Sequence, residues 1–177
     1  LAVGVFLISR MTVDTSFGAA IFNLVLMGFG MGTTFPIYTI AVQNAVPYRF
    51  MGVATSSTQF FRSIGGTLGL AVLGSVLTNR FASELVKSVS QGVKQVLSEE
   101  RLSSMAHNPQ VLISPEVEAE LQETFNQSGL QGVGLMEQLM EALRTSMASA
   151  IGDVFTIALM AVVAGWVATL FLKDMSA

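Results

Sequence analysis

The chain has no cysteine and a single histidine, His107. The first absence excludes disulfides, thiolate metal ligands and cysteine nucleophiles. The second excludes a histidine metal cluster. Charge is scarce too. Nine Lys and Arg and twelve Asp and Glu among 177 residues make about half the share of an ordinary soluble domain. Nine basic residues against a net charge of −3 give nucleic-acid binding little support. No Ser-His-Asp set, Gly-x-Ser-x-Gly elbow or pair of catalytic carboxylates occurs, so the chain reads as a non-enzyme with no cofactor and no metal. Gly28-Phe29-Gly30-Met31-Gly32 superficially looks like a phosphate loop, but no Lys follows and no strand-turn-helix pattern surrounds it. A basic n-region and a small-residue cleavage site, the marks of a signal peptide, are also missing.

What is present is apolar. Half the residues (51%) are hydrophobic, with 16 Gly and 12 Phe, and mean hydropathy is +0.62. The charges are uneven: residues 79–147 hold two-thirds of them. The predicted class is therefore an all-α membrane protein with a polar helical insert. Residues 1–9 read as the tail of a transmembrane helix, so the chain is expected to be the C-terminal piece of a longer protein. Residues 17–46 form the first full span, since about 20 largely apolar residues suffice to cross. Val46-Pro47-Tyr48-Arg49 is a tight inter-helix turn, and 50–78 is the second span.

Phe81, Leu85, Val89, Val93 and Val96 recur at three- and four-residue spacing, which predicts that the helix continues with one apolar face. Asn108-Pro109 breaks it. Ser114-Pro115-Glu116 is a helix start, and the acids that follow to Glu123 are a solvated face without calcium-loop spacing. Ser128-Gly129 and the Gly132/Gly134 pair are read as breaking the chain again. Leu135, Leu139 and Leu143 mark an amphipathic helix leading into a last span over 149–172, closed by Lys173-Asp174. Residues 79–147 are thus an insert between two spans, read as extracytoplasmic. The Arg49 turn and the C-terminus then share the inner side, a choice that loop charge only weakly decides.

Arg62 is the most informative residue. It lies roughly 18 Å into the second span at 1.5 Å per residue, where a charge costs at least about 2.5–3.5 kcal/mol on insertion scales. Either it faces a bundle interior or cavity, as a pathway cation or a latch, or it snorkels to the near interface. Gln59 shares its helix face. Gln43 and Asn44 close the first span and either line the path or are simply wet. Gly28 and Gly32, and Gly65 and Gly69 with Gly66 between them, have the spacing that lets helix backbones approach. Pro36 is tolerated where neighbouring helices satisfy the freed backbone. Asp153 is weighed as a proton relay, but its shallow place in the last span favours an interfacial acid near a helix N-terminus.

Residues Phe35-Pro36 and Gln43-Asn44-Ala45-Val46-Pro47, then Gly52-Val53-Ala54-Thr55-Ser56-Ser57, then Gln59-Phe60-Phe61-Arg62-Ser63-Ile64-Gly65-Gly66-Thr67-Leu68-Gly69 resemble the C-terminal half of the major facilitator superfamily. The resemblance is nearest to the fourteen-helix drug:H⁺ antiporter branch, with its EmrB- and QacA-like multidrug efflux transporters. It implies the last three helices and the tail of the one before, in the inner membrane of a bacterium. The protein would then exchange protons for amphipathic, often cationic small molecules by alternating access. Its partners would be the lipid bilayer and the missing N-terminal half, which carries the branch's proton-coupling acids and main signature. A periplasmic adaptor, used by some relatives, stays open. Arg62, Gln59, Gln43 and Asn44 are the pathway or gate candidates. The competing plan is a membrane-anchored sensor or adaptor with a small helical extracytoplasmic domain. Against it stand the unexplained Gly-rich hairpin and the few residues after the last span.

Overall fold

Long charge-poor runs become long helices because a helix satisfies its own backbone, the only open-ended way to do so in lipid. The computed structural model describes residues 1–107, 115–126 and 130–171. In order they form α1 (Ala2–Ser9), α2 (Phe17–Asn44), a 3-10 turn (Tyr48–Phe50), α3 (Met51–Ser88), α4 (Gln91–Val96), α5 (Glu99–His107), α6 (Pro115–Asn126) and α7 (Leu130–Leu170). The breaks read at Asn108-Pro109 and Ser128-Gly129, the Ser114 cap and the Lys173-Asp174 exit lie outside the described residues. Among the described residues, three stretches are long and apolar enough to cross a membrane: Phe17–Asn44, Tyr48–Ser88 and Gly134–Leu170. The described residues form an all-helical protein with three such helices.

Two compact units divide it. One holds Leu1–Gly74 with the described residues from Val154 onward; the other is Ser75–Asp153. In the first unit, Ser16 caps α2 by accepting the Ala19 amide at 3.4 Å, which satisfies one of the orphan donors of the first turn. Pro36 lies inside α2 and removes a ladder donor. The hydroxyls of Thr33 and Thr34 turn back onto the Phe29 and Gly30 carbonyls at 3.0 and 2.6 Å. Thr39, Thr55, Thr58 and Thr67 do the same toward Phe35, Met51, Ala54 and Ser63. This back-bonding lets polar side chains sit in apolar surroundings without an unpaired proton.

Helix α1 rests on α2, burying Val5 and Ile8. Elsewhere the unit's large side chains point outward: Phe17, Phe29, Phe61 and Leu70 are exposed. A continuous apolar surface of this kind marks contact with lipid or with other protein.

The second unit has a core of its own. The C-terminal part of α3 and the first half of α7 contribute Phe81, Leu85, Leu139, Leu143 and Ala150, and the short helices add Val93, Leu102, Met105, Leu121 and Phe125. Phe81 and Phe125 are fully buried, each worth about 1.5–3 kcal/mol relative to exposure. Ser146 is the one buried polar residue among those described, and its hydroxyl has no hydrogen-bond partner there.

Asp153 departs from the sequence reading. Helix α7 begins at Leu130 and runs through Gly132 and Gly134 without the break expected there, since an isolated Gly costs a helix only about 1 kcal/mol; Asp153 therefore sits deep within a helix rather than near its N-terminus, and the dipole argument does not apply. Its Oδ2 instead meets Arg80 Nε at 3.4 Å, with both side chains about half exposed. An exposed pair like this contributes ~0–1 kcal/mol.

Candidate functional site

The turn after Asn44 folds α3 back along α2. Near the turn, Gln43 Nε2 donates to Thr55 Oγ1 at 3.1 Å. Further along, a groove of about 200 Å³ opens between the two helices. From α2 it is lined by Phe35, Tyr38 and Thr39, and from α3 by Thr55, Thr58, Gln59 and Arg62. Arg62 and Gln59 are three residues apart, so they share a helix face and reach the same groove.

Arg62 is held by an aromatic ring. Its Cζ lies 3.7 Å from the Phe35 centroid, where the ring quadrupole attracts the cation. No carboxylate pairs with it among the described residues. The only described acid of this unit is Asp14, before the start of α2.

The hydroxyls around the groove have their protons committed. Thr39, Thr55 and Thr58 donate to carbonyls of their own helices. Thr169 donates to the Gly165 carbonyl at 2.9 Å, so in its 2.8 Å bond with Tyr38 the tyrosine is the donor. Tyr38 thereby ties α2 to α7 beside the groove.

The remaining candidate residues distribute as follows. Gln43 is half-buried and bonded to Thr55, and Asn44 is exposed at the end of α2, outside the groove. Pro36 is exposed next to Phe35. A side chain built at Gly28, Gly32, Gly65, Gly66 or Gly69 would meet no described atom within 4 Å, so none of these five packs closely against another described helix.

The close approaches of backbone are at Gly4 and Gly30, while Gly92 faces only the tip of the Leu135 side chain. A Cβ on Gly4 would lie 2.6 Å from the Met27 Cα, and one on Gly30 would strike the Leu1 backbone. Sequence reasoning missed both. Gly30 stands in the middle of the Gly28-x-Gly30-x-Gly32 run, two residues and so roughly 200° around the helix from each member of the four-residue pair, on the opposite face. Phe35 and Tyr38 were also missed, because nothing local separates them from other aromatic residues of the spans. Among the described residues, no three His, Asp or Glu side chains are placed to hold a metal ion.

The chain is 32% identical over 175 residues to the multidrug transporter protein MdtP of Bacillus subtilis, an alignment covering 98% of this chain and 32% of that protein. It is 32% identical over 170 residues to multidrug resistance protein 3 of the same organism, covering 96% of this chain and 30% of the relative. An uncharacterized MFS-type transporter of Mycobacterium tuberculosis is 30% identical over 96 residues, 54% of this chain and 14% of the relative. The chain spans about a third of the length of the two Bacillus relatives. No family model matches it, and no solved structure does.

Proposed function

We propose that this chain, similar over nearly its whole length to two multidrug transport and resistance proteins and over half of it to an MFS-type transporter, is a membrane-embedded part of a small-molecule exporter. The observation that carries the reading is the groove between α2 and α3. It gathers the one charge of the 50–78 run, Arg62, with Gln59 and three threonines, between two runs that otherwise carry no charge. A charged residue retained at that depth marks a pathway or a gate more often than a lipid contact.

The finer reading follows the fourteen-helix drug:H⁺ antiporter branch. The carrier sits in the bacterial cytoplasmic membrane, with 17–46, 50–78 and 149–172 as spans and 1–9 as the tail of a preceding one. The turn at Arg49 and the C-terminus face the cytoplasm, and 79–147 is extracytoplasmic, where a periplasmic adaptor would dock. Arg62 and Gln59 line the substrate path, Gln43 braces its cytoplasmic end beside Asn44, and Pro36 shapes α2 next to Phe35. The faces of Gly28 and Gly32 and of Gly65, Gly66 and Gly69 pack against the rest of the carrier. Substrate moves by alternating access, driven by proton exchange through acids outside this chain.

The test is efflux of an amphipathic dye from cells expressing the intact carrier, with and without a proton gradient. Export that stops with a protonophore, and that Arg62→Ala abolishes at normal expression, is the expected result. Full efflux from Arg62→Ala would remove the role given to Arg62, and efflux indifferent to the gradient would remove proton coupling.

A further inference from the structure

We infer that the α2–α3 groove is a subsite for an acidic group, recognising the carboxylate or phosphate of an amphipathic organic anion. The inference rests on the reading of Arg62 and Gln59 as lining of the substrate path, and it names the chemistry that this part of the path selects.

Few protons around the groove are available for hydrogen bonding. Thr39, Thr55 and Thr58 give theirs to backbone carbonyls. Tyr38 gives its proton to Thr169, whose own goes to Gly165. Around the groove these hydroxyls therefore offer only lone pairs. The uncommitted donors are the guanidinium of Arg62 and the amide of Gln59, on one face of α3. The contact with Phe35, at 3.7 Å, sets the ring against the guanidinium. Stacking of that kind leaves the N–H groups at the guanidinium's edge free, and that edge matches a carboxylate or phosphate with two parallel bonds.

Charge argues the same way. No described acid stands near Arg62 to receive a cationic substrate, and a cation placed there would meet like charge. An anion would find its counter-charge already held in place by the Phe35 ring. The rings of Phe35 and Tyr38 offer an apolar or aromatic body its contact surface. At about 200 Å³ the groove is smaller than the roughly 300–1,000 Å³ of a pocket that encloses a drug-sized ligand. It therefore holds the acidic end of a larger molecule, and any cationic portion must bind elsewhere on the path.

The test uses the intact protein in nanodiscs of phosphatidylcholine, with 2-naphthoate as probe and the naphthylmethylammonium cation as control. The wild type is expected to bind naphthoate, with the cation failing to displace it. Arg62→Gln is expected to weaken naphthoate about tenfold or more, the scale of a charged hydrogen bond lost. Arg62→Lys should recover part of that, since charge persists without the fork. Gln59→Leu, a milder change that keeps the charge, should weaken binding less and guards against misfolding of the arginine variants.

Adding phosphatidylglycerol to the nanodisc separates the sources of the anion. If it displaces naphthoate in an Arg62-dependent way, the acidic site stands and lipid phosphate occupies it. If it does not, the site stands for a soluble acid. Absence of naphthoate binding in the wild type, or equal binding by Arg62→Gln, overturns the proposal. Should dye efflux still depend on Arg62 in that case, the pathway reading survives without the anion site; should efflux be independent of Arg62, both fall.

Discussion

Arg62 keeps a full charge in an apolar stretch, and insertion scales put that cost at about 2.5–3.5 kcal/mol or more. Contact with Phe35 at 3.7 Å returns part of it, since a cation–π pair is worth about 0.5–1 kcal/mol when exposed and about 2 when desolvated. Phe35→Leu keeps an apolar side chain and removes the ring. It should lower equilibrium stability of the intact protein in detergent by about 0.5–2 kcal/mol, and by much less when Arg62 is already Ala. A double-mutant cycle measures that difference; equal losses in both backgrounds would show that Phe35 acts by packing alone. The arginine was legible in the sequence because a charge in a charge-free run stands out. Its partner was not, because Phe35 and Arg62 are joined only by the antiparallel return of α3 on α2. The bond from Tyr38 to Thr169 spans 131 residues and was equally invisible to any local pattern.

Glycine spacing shows how far an element can be read without its neighbours. Four-residue pairs indicate a face that can be approached, but not what approaches it. Within this chain the approach is made at Gly30 and Gly4 instead. Gly30→Ala should therefore destabilise by about 1–3 kcal/mol, the usual cost of overpacking, because the obstacle is the Leu1 backbone and not a flexible side-chain tip. Gly28→Ala meets nothing here, so the proposal that its face packs on the rest of the carrier predicts a loss of stability only in the intact protein. Thermal unfolding of both variants in detergent checks this, and an unchanged Gly28→Ala protein would leave that face to lipid. The long apolar helices were readable from charge-free length, and the buried stripe of Phe81, Leu85, Val89 and Val93 from its period, but the single continuing helix expected there is broken: α3 ends at Ser88 and α4 starts at Gln91, with Ser90 extended between them. Asp153 was misjudged because α7 runs unbroken from Leu130 through a change from polar to apolar composition, which looked like a helix start.

Across the whole molecule, two kinds of stability coexist. The Ser75–Asp153 unit buries its own apolar side chains. The candidate spans bury few of theirs within the chain: 11%, 0% and 6% of their most apolar windows. Damage should therefore be separable. Phe125→Ala removes a fully buried ring and should cost that unit about 3–5 kcal/mol, seen as faster proteolysis within 75–153 while the spans stay protected by detergent or lipid. The sidedness proposed for the two polar segments can be read by chemistry that the composition makes clean. This chain contributes no thiol of its own, so a cysteine introduced into it is the only thiol it presents. Ser104 is exposed on α5, and Tyr48 is 87% exposed on the turn after α2. In intact cells, with any cysteines elsewhere in the carrier replaced, Ser104→Cys should react with a membrane-impermeant maleimide. Tyr48→Cys should react only after permeabilisation, because an odd number of crossings, the single span 50–78, separates the two positions. Labelling of both from outside would mean that 50–78 does not cross, and the reversed pattern would invert the carrier and place the 79–147 insert in the cytoplasm.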